Sequence, residues 1–88
     1  MKSLEEIKKL VREGKVIIGK ERTMKELAKG GLKEILLSSN CPEEFVKDFE
    51  YYSKIAGIKV TKLSIPNDEL GIICKKPFSI SVLGIKNE

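Results

Sequence analysis

The sequence predicts an α/β protein, a three-layer α/β/α sandwich around a four-stranded mixed sheet. Three observations carry this. Segments with helical apolar spacing alternate with short apolar runs in the order α-β-α-β-α-β-α-β along the 88 residues, and such alternation folds as crossover helices packed on the faces of one sheet. The run Ile35-Leu36-Leu37 has no polar alternation, as a strand covered on both faces requires. No linker, low-complexity tract or repeat interrupts the pattern, so residues 1–88 read as a single domain. Because crossovers join parallel neighbours, the sheet is expected to be mostly parallel.

The elements follow in order. Ser3 and Glu6 have the form of a capping box, and Leu4, Ile7, Leu10 and Val11 share one helical face until Gly14 stops the helix. Val16-Ile17-Ile18 is a short buried strand. The next helix turns Met24, Leu27 and Ala28 inward and ends at Gly30-Gly31; Thr23 with Glu26 offers a second capping box, so its start lies between Lys20 and Met24. After the second strand, Pro42 suits a first helical position, and Phe45, Val46, Phe49, Tyr52 and Ala56 recur at helical spacing up to Gly57. Tyr52 is therefore expected in the core and Tyr51 partly exposed. Ile58, Val60 and Leu63 form a third strand, and a short helix from Pro66 or Asn67 carries Leu70, Ile73 and Cys74. Phe78, Ile80 and Val82 alternate with Ser79, Ser81 and Leu83 as a last strand.

Size and composition exclude several classes of function. A domain this small buries only ~60% of the surface of its unfolded chain, which leaves little room for a deep pocket beside a core. Cys41 and Cys74 stand far apart, with no Cys-x-x-Cys and no histidine. The usual zinc frameworks and histidine-based acid/base catalysis are thereby removed, and neither thiol has a general base beside it in sequence. Both cysteines read as reduced packing residues. No catalytic residues, metal or cofactor are expected. No segment reaches the ~20 apolar residues of a membrane span, and the first residues lack the apolar core of a signal peptide, so a cytoplasmic protein without a membrane partner is expected.

Seventeen Lys and Arg face thirteen Asp and Glu, a net charge of +4. Residues 41–57 hold Glu43, Glu44, Asp48 and Glu50 against Lys47 and Lys54. That stretch is negative, the positive excess lies elsewhere, and the third helix is expected to face away from any polyanion. The excess has a focus in Gly19-Lys20-Glu21-Arg22-Thr23-Met24-Lys25, a glycine turn that opens into a helix start. Glycine lets another molecule approach the backbone closely, and a helix start presents unpaired N–H groups. Cations at such a start oppose the helix dipole by ~0.3 to 1 kcal/mol each, so Lys20, Arg22 and Lys25 together point to a use, contact with a phosphate backbone. Ser38-Ser39-Asn40 after the second strand and Lys75-Lys76-Pro77 before the last would join that edge if the strands run suitably.

Several strings in order are informative: Val16-Ile17-Ile18-Gly19 leading to Lys25, Gly30-Gly31-Leu32-Lys33 with Ile35-Leu36-Leu37, Asn40-Cys41-Pro42, Glu50-Tyr51-Tyr52, Gly57-Ile58-Lys59-Val60, and Glu69-Leu70-Gly71 before Lys76-Pro77-Phe78. Together they resemble the ribosomal L-seven-Ae superfamily over roughly residues 4 to 85, and within it the L-thirty-e branch of the large subunit. The resemblance implies a noncatalytic, ribosome-associated protein that binds kink-turn or internal-loop RNA beside other ribosomal or ribonucleoprotein proteins. It implies RNA contact by Gly19, Lys20, Glu21, Arg22 and Lys25, a base contact by Asn40, and an apolar wedge from Pro77 and Phe78 with Lys75 and Lys76 nearby. One departure is clear: the family's strong RNA binders carry Asn-Glu where this chain has Glu21-Arg22.

Each of these residues also has a purely structural reading. Gly19 serves a tight turn, Glu21 a favourable acid at a helix start, Asn40 a cap for the third helix, and Phe78 an inward position in the last strand. Two other roles fit the same fold: a component of another ribonucleoprotein, or a stand-alone protein-interaction module.

Overall fold

The computed structural model describes residues 4–87; the predicted Ser3 cap lies outside them. The elements are α1 Leu4–Arg12, β1 Val16–Ile18, α2 Lys20–Ala28, β2 Leu32–Leu37, α3 Glu43–Ala56, β3 Lys59–Lys62, α4 Asn67–Ile73 and β4 Val82–Lys86. The four strands form one sheet in the order β1-β4-β2-β3.

Two apolar cores flank this sheet. Ile17, Ile35, Leu37 and Val82 pack against Leu27 of α2 and Val46 and Phe49 of α3. On the other face, Leu36, Leu83 and Ile85 pack against Ile7 of α1 and Leu70 and Cys74 of α4. The period of two along β2 sends Ile35 and Leu37 to one core and Leu36 to the other, and all three are fully buried. The unbroken apolar run therefore has its reason in cover from both sides. The two cysteines fall in opposite cores, both buried and unpaired. Burial pushes both thiols above their ordinary pKa, with nearby lysines, Lys62 for Cys41 and Lys76 for Cys74, pulling the other way.

Four expectations are corrected. The sheet is mixed but not mostly parallel: β2 pairs with β3 in parallel, whereas β4 runs antiparallel to both β1 and β2. Only the β2-α3-β3 unit is a crossover between neighbours, because β4 inserts between β1 and β2. Tyr52 and Ala56 do not reach the core. The buried face of α3 is Val46, Phe49 and Ser53, and Tyr52 remains 48% exposed, edge-on to Tyr51. Beyond Phe49 the inward position falls to Ser53, while Tyr52, Ile55 and Ala56 line an open depression beside Met24, Leu27 and Ala28 of α2. Thr23 is no cap, since α2 begins at Lys20 after Gly19; Thr23 is buried, and its hydroxyl points to the carbonyl of Ile17 at 3.5 Å. Finally, the last strand begins at Val82. Ile80 packs with α1 and α4 but Val82 with α2 and α3, and Phe78 lies in the preceding loop, 55% exposed. Alternation from Phe78 to Val82 is broken because the loop follows α4 rather than the sheet ladder.

Candidate nucleic-acid interface

The direction of β4 decides the geometry of the site. Antiparallel to β1 and β2, it starts where they end, so the turn after β1, the loop after β2, the residues between β3 and α4, and the loop before β4 meet at one end of the sheet. Backbone hydrogen bonds join them there: the Gly19 N–H donates to the Val82 carbonyl at 3.1 Å, Ser38 to Ser81 at 3.0 Å, Ser39 to Ile65 at 2.8 Å, and Ile80 to Asn67 at 3.0 Å.

Between the first and last of these loops lies a cleft of about 310 Å³, walled by Ile18, Gly19 and Lys20 on one side and Phe78, Ser79 and Ser81 on the other, with Phe45 of α3 also lining it. Gly19 has φ 103° and ψ 154°, a conformation essentially confined to glycine. A Cβ there would meet nothing within 4 Å. Backbone conformation alone therefore demands glycine in the free protein, and the space beside it stays open to a visitor. Gly19→Ala is expected to cost about 1 to 3 kcal/mol of folding stability, measured by denaturant titration; an unchanged midpoint would show that the turn relaxes without strain.

Lys20 is held rather than free. Its Nζ lies 4.0 Å from Asp48 Oδ2 and 4.4 Å from the centre of the Phe45 ring. The acidic α3 was expected to stand away from the basic edge, yet its first turns hold the leading cation in place. This ion pair is half exposed and contributes less than ~1 kcal/mol, so Lys20 can leave it at small cost. Glu21 and Lys25 continue the edge along α2, lining with Lys20, Met24, Ala28 and Asp48 a shallow depression beside the cleft. Arg22 is exposed on the same first turn.

On the opposite lip, position 71 controls the loop. A Cβ at Gly71 of α4 would collide with the carbonyl oxygen of Phe78 and lie 3.1 Å from its carbonyl carbon and 3.3 Å from Ser79 Cα. The loop thus folds directly onto α4, leaving Phe78 exposed and lining the cleft with Gly19 and Lys20. Lys76 and Pro77 are exposed beside it. Lys75 is exposed too, but it faces the α1 side of the molecule with Lys8 and Arg12 and does not line the cleft.

Asn40 does not cap α3, where Pro42 holds the cap position without a side-chain bond. Its Oδ1 accepts from the Asn67 N–H at 2.9 Å, and its Nδ2 donates to Asn67 Oδ1 at 3.0 Å. Asn40 therefore supplies across space the cap that α4 lacks, and it remains exposed while Asn67 is half-buried. Asn67, Phe45 and Asp48 escaped the reading of the sequence. Asn67 had figured only as a helix start, and nothing local marks a contact made 27 residues away.

The model of the family described as "Ribosomal protein L7Ae/L30e/S12e/Gadd45 family" matches residues 1–88. The chain belongs to this family. Among similar proteins, the large ribosomal subunit protein eL30 of Methanocaldococcus jannaschii is 38% identical over 82 residues, 93% of this chain and 74% of that protein. The eL30 of Archaeoglobus fulgidus is 34% identical over 82 residues, 93% of this chain and 91% of that protein. In structure, the 15.5kD RNA binding protein of Giardia lamblia superposes with a TM-score of 0.84 at 17% identity, over 97% of this chain and 71% of that one. A Bacillus halodurans protein of unknown function does so at 0.88 and 21%, over 96% and 83%. Within the L7Ae/L30e/S12e/Gadd45 family, the eL30 relatives, each named as a large ribosomal subunit protein, are the branch that the L-thirty-e resemblance predicted. Among the described residues, no group suited to hold a metal occurs and no helix is long and apolar enough to cross a membrane.

Proposed function

We propose that this chain is an eL30-type structural protein of the large ribosomal subunit, acting in the cytoplasm on the ribosome and recognising a sharply bent RNA internal loop. The observation that carries the proposal is the cleft, in which the open glycine backbone and Lys20 face the exposed Phe78 ring across one sheet end. Sequence-selective RNA readers act on unstacked bases, with cations on phosphates, amides or carboxylates on base edges and flat groups against base faces. All three kinds of group meet at this end.

In this reading Gly19 lets a ribose or phosphate lie against the backbone, and Lys20, Arg22 and Lys25 neutralise phosphates along one strand. Lys75 and Lys76 provide positive charge beyond the opposite lip. Phe78, backed by Pro77, stacks on or wedges between bases. Asn40 offers an amide to a base edge, exchanging its bond to Asn67, while Glu21 can accept from an exocyclic amine. Because Glu21-Arg22 replaces the Asn-Glu pair, the phosphate and stacking contacts carry more of the affinity here than base readout by that pair.

The test is a titration of a kink-turn RNA and a matched straight duplex at two salt concentrations. Tighter binding to the bent RNA is expected, together with a salt slope that becomes shallower by about 1 for Lys20→Ala and again for Lys25→Ala. Equal affinity for both RNAs would remove specific recognition and leave the protein-interaction role.

A further inference from the structure

On the face opposite α2 and α3, Lys8, Val11 and Arg12 of α1 and Ile72, Ile73 and Lys75 at the end of α4 line a groove of about 570 Å³. Its apolar floor is open: Ile72 is 73% exposed, more than any other large apolar residue described. Among the described residues, every charged one lining it is a cation. Arg12 and Lys75 stand at helix C-termini, where the dipole favours positive charge. That accounts for the cations but not for an isoleucine left in water between them.

We infer that this groove docks an acidic amphipathic segment of a neighbouring protein, its apolar side chains on Val11, Ile72 and Ile73 and its carboxylates on Lys8, Arg12 and Lys75. Nucleic acid fits the surface less well. Among the described residues, the lining has no aromatic ring to stack a base and no side-chain amide to read one, and a branched aliphatic floor gives nothing to phosphate or ribose hydroxyls. An apolar stripe flanked by carboxylates satisfies both halves of the groove at once, as helices laid in grooves do. Among the described residues, the ion pair that Lys8 would give up is an exposed contact with Glu5 at 3.8 Å. Lys75 opens the same loop that carries Phe78, so an occupant would lie beside bound RNA without covering the cleft. The inference does not depend on the RNA reading.

The experiment uses the intact protein and two labelled synthetic peptides of equal negative charge, a helical one with leucines along one face and glutamates along the other, and a polyglutamate. Saturable binding of the first, about tenfold tighter than the second, is expected from anisotropy, with the methyl signals of Val11, Ile72 and Ile73 shifting and those of Ile17 and Ile35 unmoved. Ile72→Asp and the Arg12→Glu, Lys75→Glu double variant should each weaken the leucine peptide about tenfold. Both change exposed side chains, and a melting curve confirms that each remains folded. Ile72→Asp should leave affinity for kink-turn RNA within about twofold. Equal binding of the two peptides, or unaltered binding to Ile72→Asp, overturns the inference by reducing the groove to a charged surface. A loss of RNA affinity in Ile72→Asp overturns it by assigning the face to RNA.

Discussion

Replacing Phe78 with alanine is expected to weaken binding of a kink-turn RNA by about 1 to 3 kcal/mol, the usual loss of one stacked base, while folding stability changes little. The second half of this expectation distinguishes the two roles open to the residue. A buried phenylalanine costs about 3 to 5 kcal/mol when truncated to alanine, because a cavity remains. Here the ring is 55% exposed at the lip of the cleft and belongs to neither apolar core. Truncation should therefore leave the melting temperature nearly in place. Parallel RNA titration and thermal denaturation decide the matter: full affinity in a folded variant would remove the wedge from the mechanism, and a collapse of stability would return Phe78 to the core.

Gly71→Ala is the second change of large effect. It adds one methyl group, yet that methyl has nowhere to go, since it points into the Phe78 carbonyl and the Ser79 backbone. Backbone atoms cannot rotate aside as the end of a flexible side chain can, so either α4 or the loop must move. Overpacking of this kind costs about 1 to 3 kcal/mol or more. The loop is also the lip of the cleft, so the change should reduce RNA affinity without touching a residue that faces RNA. A variant with wild-type denaturation midpoint and wild-type RNA affinity would show that the helix and loop are not in contact as described. The glycine of Glu69-Leu70-Gly71 thus has a local physical reason: it lets the loop lie against α4 and hold the ring across from Gly19.

These two residues show where the sequence was legible and where it was not. The existence of a helix after Gly19 could be read locally, because turn and charge are adjacent in the chain, although Thr23 suggested a cap that the helix does not use. The same holds for β2, whose three consecutive apolar residues are intelligible only with cover on both faces. Phe78 was ambiguous because alternation over five residues looks alike in a strand and in a loop whose path is set by another helix. Tyr52 was misplaced because helical spacing reports which side of α3 is apolar but not which part of that side its neighbours cover, and Tyr52 lies in an open depression beside α2. Lys20 was seen as one of three cations at a helix start, while its restraint by Phe45 and Asp48 depends on how α2 and α3 lie together.

The amino-acid sequence by itself determined the order and kind of the elements, the two apolar faces of the sheet, the basic helix start and the family, since each depends on neighbours within a turn or a strand pair, or on motif order along the chain. The tertiary structure alone decided that β4 enters between β1 and β2 and runs against both. That one direction brings the loop before β4 to the sheet end where β1 and β2 finish and sets Phe78 beside Gly19, while the parallel pairing of β2 with β3 lets Asn40 meet Asn67. Strand pairing of this sort is a contest among long-range backbone hydrogen bonds and buried contacts, and no local propensity records its outcome.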